Sequence, residues 1–386
     1  MKNVPLFKGI IISLGVSLSL VSLTPVIAQT PFKNPLQVEK FDDPLLPDPP
    51  VIRPLSPLEK FRLEEALNKL NEQAKQVYQQ GKVEEAFTIW YRELRLRQKL
   101  DRVKEIKALG SVGEIAWSEN RSQDFRNIRE RLREIETEAQ ANNQQNWLEV
   151  IAKSYERMRE LDGAIALYQV LLETSANPNK ILEKIAQLHQ SQFHYQKAAN
   201  TYEKLLQKTE NDDLAQIQYL KKLSQLYEEA ENYNKGSEVK QRLIALYQQQ
   251  NNSQPLPNLM VSLGKNYEQM EAFDRASEIY QEAFQLAWSQ QKYSIASEAL
   301  LSLGQLYQND GNLETTLDIY EQLLIVQERS YDHYGLMMTY DKMGAIYRQR
   351  GEQQQALIAY EKALKLARSL GYQENYFQNQ VNQIKS

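Results

Sequence analysis

His189, His194 and His333 are the only imidazoles in this chain, and cysteine is absent. Imidazole and thiolate are the side chains that most often hold zinc or act as base and nucleophile near neutral pH, so their spacing is where such chemistry would show first. No His-Glu-x-x-His pair, no cysteine cluster and no glycine-rich phosphate loop occurs, and His189 stands where neighbouring segments carry tyrosine. The paired acids Glu64-Glu65 and Asp212-Asp213 are of a kind frequent on solvated helices. These residue types point away from catalysis. The expectation is a protein that is not an enzyme and holds no cofactor or metal of its own.

Charge narrows the partners. Against 50 acidic residues stand 46 basic ones, a net charge of -4 over 386 residues, so nothing draws the chain as a whole toward nucleic acid. Between Arg92 and Arg133, however, twelve basic residues meet seven acidic ones. The stretch RNIRERLREIE either offers arginines to an acidic partner or anionic lipid, or is a helix surface of arginine–glutamate pairs.

The amino terminus has a sorting pattern. Lys2 and Lys8 precede an apolar run from Ile10 to Ile27 that closes on Val26-Ile27-Ala28, so residues 1-28 read as a signal peptide cut after Ala28. The competing reading is an uncleaved anchor with the body facing the periplasm; the serines and glycines between Ser13 and Ser22, and then Pro25, argue against it. Without cysteine, lipoprotein acylation has no site. Residues 29-55 are rich in proline, which cannot donate to a helix or sheet ladder, so they read as an extended linker, either a plain spacer or a ligand for a proline-reading domain.

From Ser56-Pro57-Leu58-Glu59, a helix start with cap, proline at the first helical position and a returning glutamate, apolar residues recur with the helical period and no convincing strand follows. Within this body one phrase repeats. A small residue stands at Ala74, Gly113, Ala152, Ala186, Ser224, Gly264, Gly304 and Gly344; Tyr155, Tyr227, Tyr267, Tyr307 and Tyr347 lie three residues beyond five of them. Twelve residues after each small site comes Ala86, Phe125, Ala164, Ala198, Gly236, Ala276, Thr316 or Ala356, and four later an aromatic at Trp90, Tyr168, Tyr202, Tyr280, Tyr320 and Tyr360, with Lys240 in one aromatic place. Small side chains let two antiparallel helices approach, and aromatics fill the flanking holes.

Met343, Gly344, Tyr347, Ala356, Tyr360 and Ala363 match the signature of the tetratricopeptide repeat, which residues 58-370 resemble. The period near 40 exceeds that family's usual ~34, implying longer helices or longer turns. The match is weak at 109-132 and 220-243. The resemblance implies an all-α, right-handed superhelical solenoid of about eight hairpins over 56-370, closed by a capping helix at 371-386. The interruption at 248-257 reads as a hinge between two arms or as an ordinary long turn.

Tetratricopeptide solenoids bind protein or peptide partners along a concave groove lined by first helices. That resemblance makes Lys75, Lys153, Glu156, Lys221, Gln225, Glu228, Lys265, Glu268, Gln305, Gln308, Asp341 and Arg348 the groove candidates, a mixed polar set suited to an extended peptide. The lysine–asparagine clamp by which one subtype holds a terminal carboxylate is approached by Lys221 and Gln225 but not by Ser262, Glu298 and Ser302. An exported scaffold is the first expectation. By layout the chain also resembles cyanobacterial periplasmic tetratricopeptide proteins that assist photosystem II assembly and deliver manganese, and a structural adaptor of an envelope complex is the third; membrane association comes only through such a complex.

Overall fold

The computed structural model describes residues 34–37, 42–47, 53–209 and 212–386. The sorting segment expected over 1-28 lies outside the described residues. Contacts divide the described residues into two compact units, one comprising those up to Asp101 with Ser122–Arg131 and the other Arg102–Arg121 with those from Leu132 onward.

In the first unit α1 (Pro57–Gln79) pairs with α2 (Val83–Arg97). The capping box forms as the sequence dictates: Ser56 Oγ accepts the Glu59 N–H at 3.4 Å and the Glu59 carboxylate accepts the Ser56 N–H at 2.6 Å. Arg53 adds two bonds to Glu59, at 2.8 and 3.0 Å. Where it is described, the linker expected to be extended forms turns, with Gln37 N–H donating to the Asn34 carbonyl and Leu46 N–H to the Asp43 carbonyl, and packs on this hairpin. Asn34 and Leu36 are buried, Gln98 donates to the Leu36 carbonyl at 2.7 Å, and Asp43 accepts two bonds from Arg92 at 2.7 and 2.9 Å. Leu45, Leu46 and Leu55 pack on Leu63, Leu67 and Leu96. The leucines between the prolines supply apolar surface that these helices bury.

The second unit contains α3 (Arg102–Ser118) and, after α4 (Ser122–Ala141), which begins in the first unit, the helices α5 (Gln145–Arg157), α6 (Leu161–Leu172), α7 (Pro178–Ser191), α8 (Tyr195–Gln207), α9 (Asp213–Glu229) and α10 (Tyr233–Gln249). It continues with α11 (Leu256–Gln269), α12 (Phe273–Ser289), α13 (Tyr293–Asn309), α14 (Leu313–Arg329), α15 (His333–Gln349), α16 (Gln353–Leu370) and α17 (Glu374–Lys385). Helix α5 packs on α3 and α6; from α6 onward each helix packs chiefly on its sequence neighbours, and one apolar cluster runs unbroken from Leu182 to Ile346. No hairpin owns that core. It is the stacked, all-helical solenoid in which each unit completes the next.

Longer helices, not longer turns, account for the period. From Phe273 the helices α12 to α15 are 17 residues each, and three residues separate each from the next. The short links are possible because one residue of each takes a left-handed φ, as at Gln291, Gly311, Tyr331 and Gly351. The N–H of the following residue then returns to the helix just ended, as from Asn312 to the Tyr307 carbonyl and from Glu352 to the Tyr347 carbonyl, each at 2.9 Å. At the interruption around 250 the link is longer and α11 is 14 residues instead of 17, so register is kept. Pro255 is the N-cap of α11 and Pro257 lies in its first turn, where the helix needs no N–H donor. There α10 still packs on α11, and Gln290 and Lys292 donate to the Ser253 and Gln254 carbonyls.

Candidate functional site

In the hairpins from α11 to α16 the small residue of the first helix lies under an aromatic ring of the second. A Cβ on Gly344 would meet the Tyr360 ring at 2.9 Å, and one on Gly264 or Gly304 would fall closer still to Tyr280 or Tyr320. Ala152, Ala164, Ala276, Ala356, Tyr155, Tyr168, Tyr267, Tyr280, Tyr320 and Tyr360 are buried, whereas Tyr307 and Tyr347 are half-buried. In the weakly matching α3, Gly110 and Gly113 let Ser154 and Met158, at the α5 end, come close.

The tyrosine hydroxyls decide which candidate groove residues remain available. Tyr168 donates to Glu156, Tyr280 to Glu268 at 3.0 Å and Tyr320 to Gln308 at 3.2 Å, while the Arg348 guanidinium lies 5.9 Å from the centre of the Tyr360 ring. In the hairpin of α9 and α10 the buried Lys240 replaces the aromatic and meets Glu228 at 2.5 Å. Each partner stands four residues past the small site. Burial, reinforced by the neighbouring carboxylate, raises the Tyr168 and Tyr280 hydroxyls well above their ordinary range, and burial alone takes Tyr320 to about 12. Burial also lowers the Lys240 ammonium, against the opposing pull of Glu228.

Apart from the half-buried Asp341, the remaining candidates face outward. Lys153, Gln225, Lys265 and Gln305, each one residue past a small site, are exposed. Lys153 bonds Glu149 at 2.5 Å on its own helix, and Lys265 reaches Glu298 on the next first helix at 2.6 Å. Exposed pairs of this kind contribute about 0–1 kcal/mol and open readily for a competing ligand. Lys221 lies 5.8 Å from the Tyr247 ring. Asp341 accepts from Tyr376 of α17 at 3.1 Å, its carboxyl raised by burial. Lys75, in the first unit, bonds Glu72 at 2.8 Å.

At least four of the twelve basic residues between Arg92 and Arg133 have acidic partners. Besides Arg92 with Asp43, Arg97 bonds Glu93 at 2.6 Å, Arg102 bonds Glu105 at 2.8 Å and Arg133 approaches Glu160 at 3.6 Å. His189 and His194 lie with tilted rings 6.2 Å apart at their centres, and the His189 pKa is lowered by burial and then by Lys197 and His194. Among the described residues, no group of three or more His, Asp or Glu side chains is placed to hold a metal ion.

One surface escaped the sequence reading. Glu321, Leu324, Ile325 and Glu328 of α14, Tyr340, Met343 and Tyr347 of α15, and Gln355, Ile358, Ala359 and Lys362 of α16 line a cleft of about 360 Å³. Ile325 is 55% and Ile358 48% exposed. The signal was present: one repeat away, the register of Ile325 holds Gln285 and Lys365, and that of Ile358 holds Asp318 one repeat back and Glu278 two repeats back.

Residues 296–369 match the tetratricopeptide repeat family. No curated protein matches the chain. Among solved structures it is similar to a kinesin light chain with nearly identical TPR-like repeats from Podospora anserina, at 15% identity over 50% of this chain and 99% of that one, TM-score 0.40. The apo form of RapI matches at 12% identity over 83% of this chain and 97% of that one, TM-score 0.37. YrrB, described as a TPR protein with an unusual peptide-binding site, matches at 18% identity over 52% of this chain and 91% of that one, TM-score 0.35.

Proposed function

As a tetratricopeptide-repeat chain by residues 296–369, this protein, we propose, is an exported scaffold that holds a partner protein or peptide along the outward side of its first helices. The observation that carries this reading is the register of Lys153, Gln225, Lys265 and Gln305. In the hairpins that begin with α5, α9, α11 and α13 the residue next to the packing site is long, polar and exposed, while the residue three further on is tied to the second helix; Ala345 departs from this in the last hairpin. Such a row offers hydrogen-bond donors and acceptors at intervals set by the stack, which suits an extended segment whose own backbone seeks partners. Export is supported by the basic residues and apolar run ahead of Ala28.

A photo-crosslinker placed at Gln305 tests this in solubilised envelope, with the same group at Gln285 on the second helix as control. A partner joined at Gln305 and not at Gln285 is the expected outcome; equal yields at both positions would sink the proposal. The layout shared with photosystem II assembly proteins makes manganese delivery an alternative, but it would require Glu156, Glu228 and Glu268 to leave the tyrosines and lysine that hold them. A manganese titration of residues 29–386 decides it. Whether the crosslinked partner is a precursor or a mature envelope complex separates an assembly factor from a structural adaptor.

A further inference from the structure

The cleft between α14 and α16 has a different chemistry from the first-helix surface. Its floor is Tyr340, Met343 and Tyr347 of α15, and its walls carry Leu324, Ile325, Ile358 and Ala359. Isoleucine at two registers that hold Gln285, Lys365, Asp318 and Glu278 in nearby repeats leaves apolar surface in water. The rim is asymmetric. Glu321 and Glu328 edge the α14 side, seven residues and therefore about 10.5 Å apart along one helix face. On the α16 side stand Gln355 and Lys362, with the Lys362 ammonium 5.0 Å from the centre of the Tyr340 ring.

We propose that this cleft docks an amphipathic α-helix of a partner protein, apolar toward Ile325 and Ile358 and carrying lysine or arginine along the edge that meets α14. A helix is the occupant because the walls are themselves helices, whose backbone groups are spent internally. An extended strand laid on Leu324, Ile325, Ile358 and Ala359 would leave its own N–H and C=O groups facing apolar side chains, whereas a helix satisfies them itself. Two turns of the incoming helix, with apolar residues at i, i+3 or i+4, and i+7, match the span between Glu321 and Glu328. The acidic edge fixes the direction of its basic side.

The test uses the whole chain and two fluorescently labelled model helices, one alternating leucine with lysine on its polar face, the other leucine with glutamate, read by anisotropy. The lysine peptide should bind saturably and at least about tenfold more tightly than the glutamate peptide. Because the net charge of -4 attracts any cationic peptide weakly, variants decide the site. Ile358→Glu, at an exposed position, should weaken the lysine peptide by about tenfold or more with the helical circular dichroism unchanged, and the double substitution Glu321→Lys, Glu328→Lys should reverse the preference between the peptides. Unchanged affinity in Ile358→Glu, or no reversal in the double variant, overturns the proposal. The crosslink at Gln305 is indifferent to either result.

Discussion

Glycine at a helix crossing and tyrosine on the opposing helix act as one packing device, and Gly304 with Tyr320 shows its tolerance. Alanine in a helix interior gains roughly 0.5–1 kcal/mol over glycine from backbone entropy, yet a methyl group here would overlap the Tyr320 ring. Overpacking of a filled core costs about 1–3 kcal/mol, so sterics win. Gly304→Ala should lower the midpoint of thermal unfolding, and Gly304→Leu should lower it further.

Lys240 is the opposite case, a residue type that departs from its register. Lys240→Tyr should restore the ring and keep a donor for Glu228, raising stability at neutral pH. The sign follows from burial: the folded state lowers the lysine pKa, so carrying the charge costs stability below that lowered value, and the cost fades as pH rises toward the unfolded value of about 10.4. The gap between variant and parent in denaturant midpoint should therefore narrow on the alkaline side. A constant gap would assign the effect to packing alone.

Much of this was readable in advance, because small and aromatic residues are defined by volume and recur at fixed spacing. Which polar residue of the first helix each tyrosine hydroxyl would claim was not. Glu156, Glu268 and Gln308 look like any solvated position until the second helix folds back and brings a donor from twelve residues downstream.

Helices of 17 residues and links of three impose their own demands at the level of the element. The left-handed position tolerates glycine at no steric cost, and nothing lies near a Cβ built on Gly351, so Gly351→Ala isolates the backbone effect. It should destabilise by about 1 kcal/mol, and Tyr331→Gly, at the equivalent place in the preceding link, should stabilise by a similar amount. Thermal melts of both variants check the pair. At the other end of the array, Ser56→Ala removes a formed capping box and should cost about 1 kcal/mol, seen as faster amide exchange in the first turn of α1. Capping and helix type followed from local sequence. The docking of Asn34 and Leu36 did not, because a proline-rich composition says that a segment is extended but not what it lies against. The interruption near 250 shows the same gap: its prolines announce a break in helix, while the preserved packing of α10 on α11 depends on the neighbouring turn.

For the molecule as a whole, the continuous cluster from Leu182 to Ile346 means that stability is shared between neighbours, not stored in one place. The carboxyl end closes this row: Phe377 and Val381 of α17 are buried against Met337, Tyr360 and Ala363. Phe377→Ala should cost about 3–5 kcal/mol by opening a cavity. The loss should be felt near where it is made, with amide exchange rising in α15 and α16 while α7 and α8 keep their protection. Uniform loosening of the second unit would mean that it unfolds as one cooperative body.

Because equal helices alternate with equal links, the junction before Tyr293 is followed by a second of identical form before His333. The stretch 293–332 is thus a cassette whose two ends have the same form, and excising or doubling it leaves the lengths and the register of the flanking helices and links unchanged. Such an array lengthens or shortens in whole steps of forty residues, with no new loop needed at the joint.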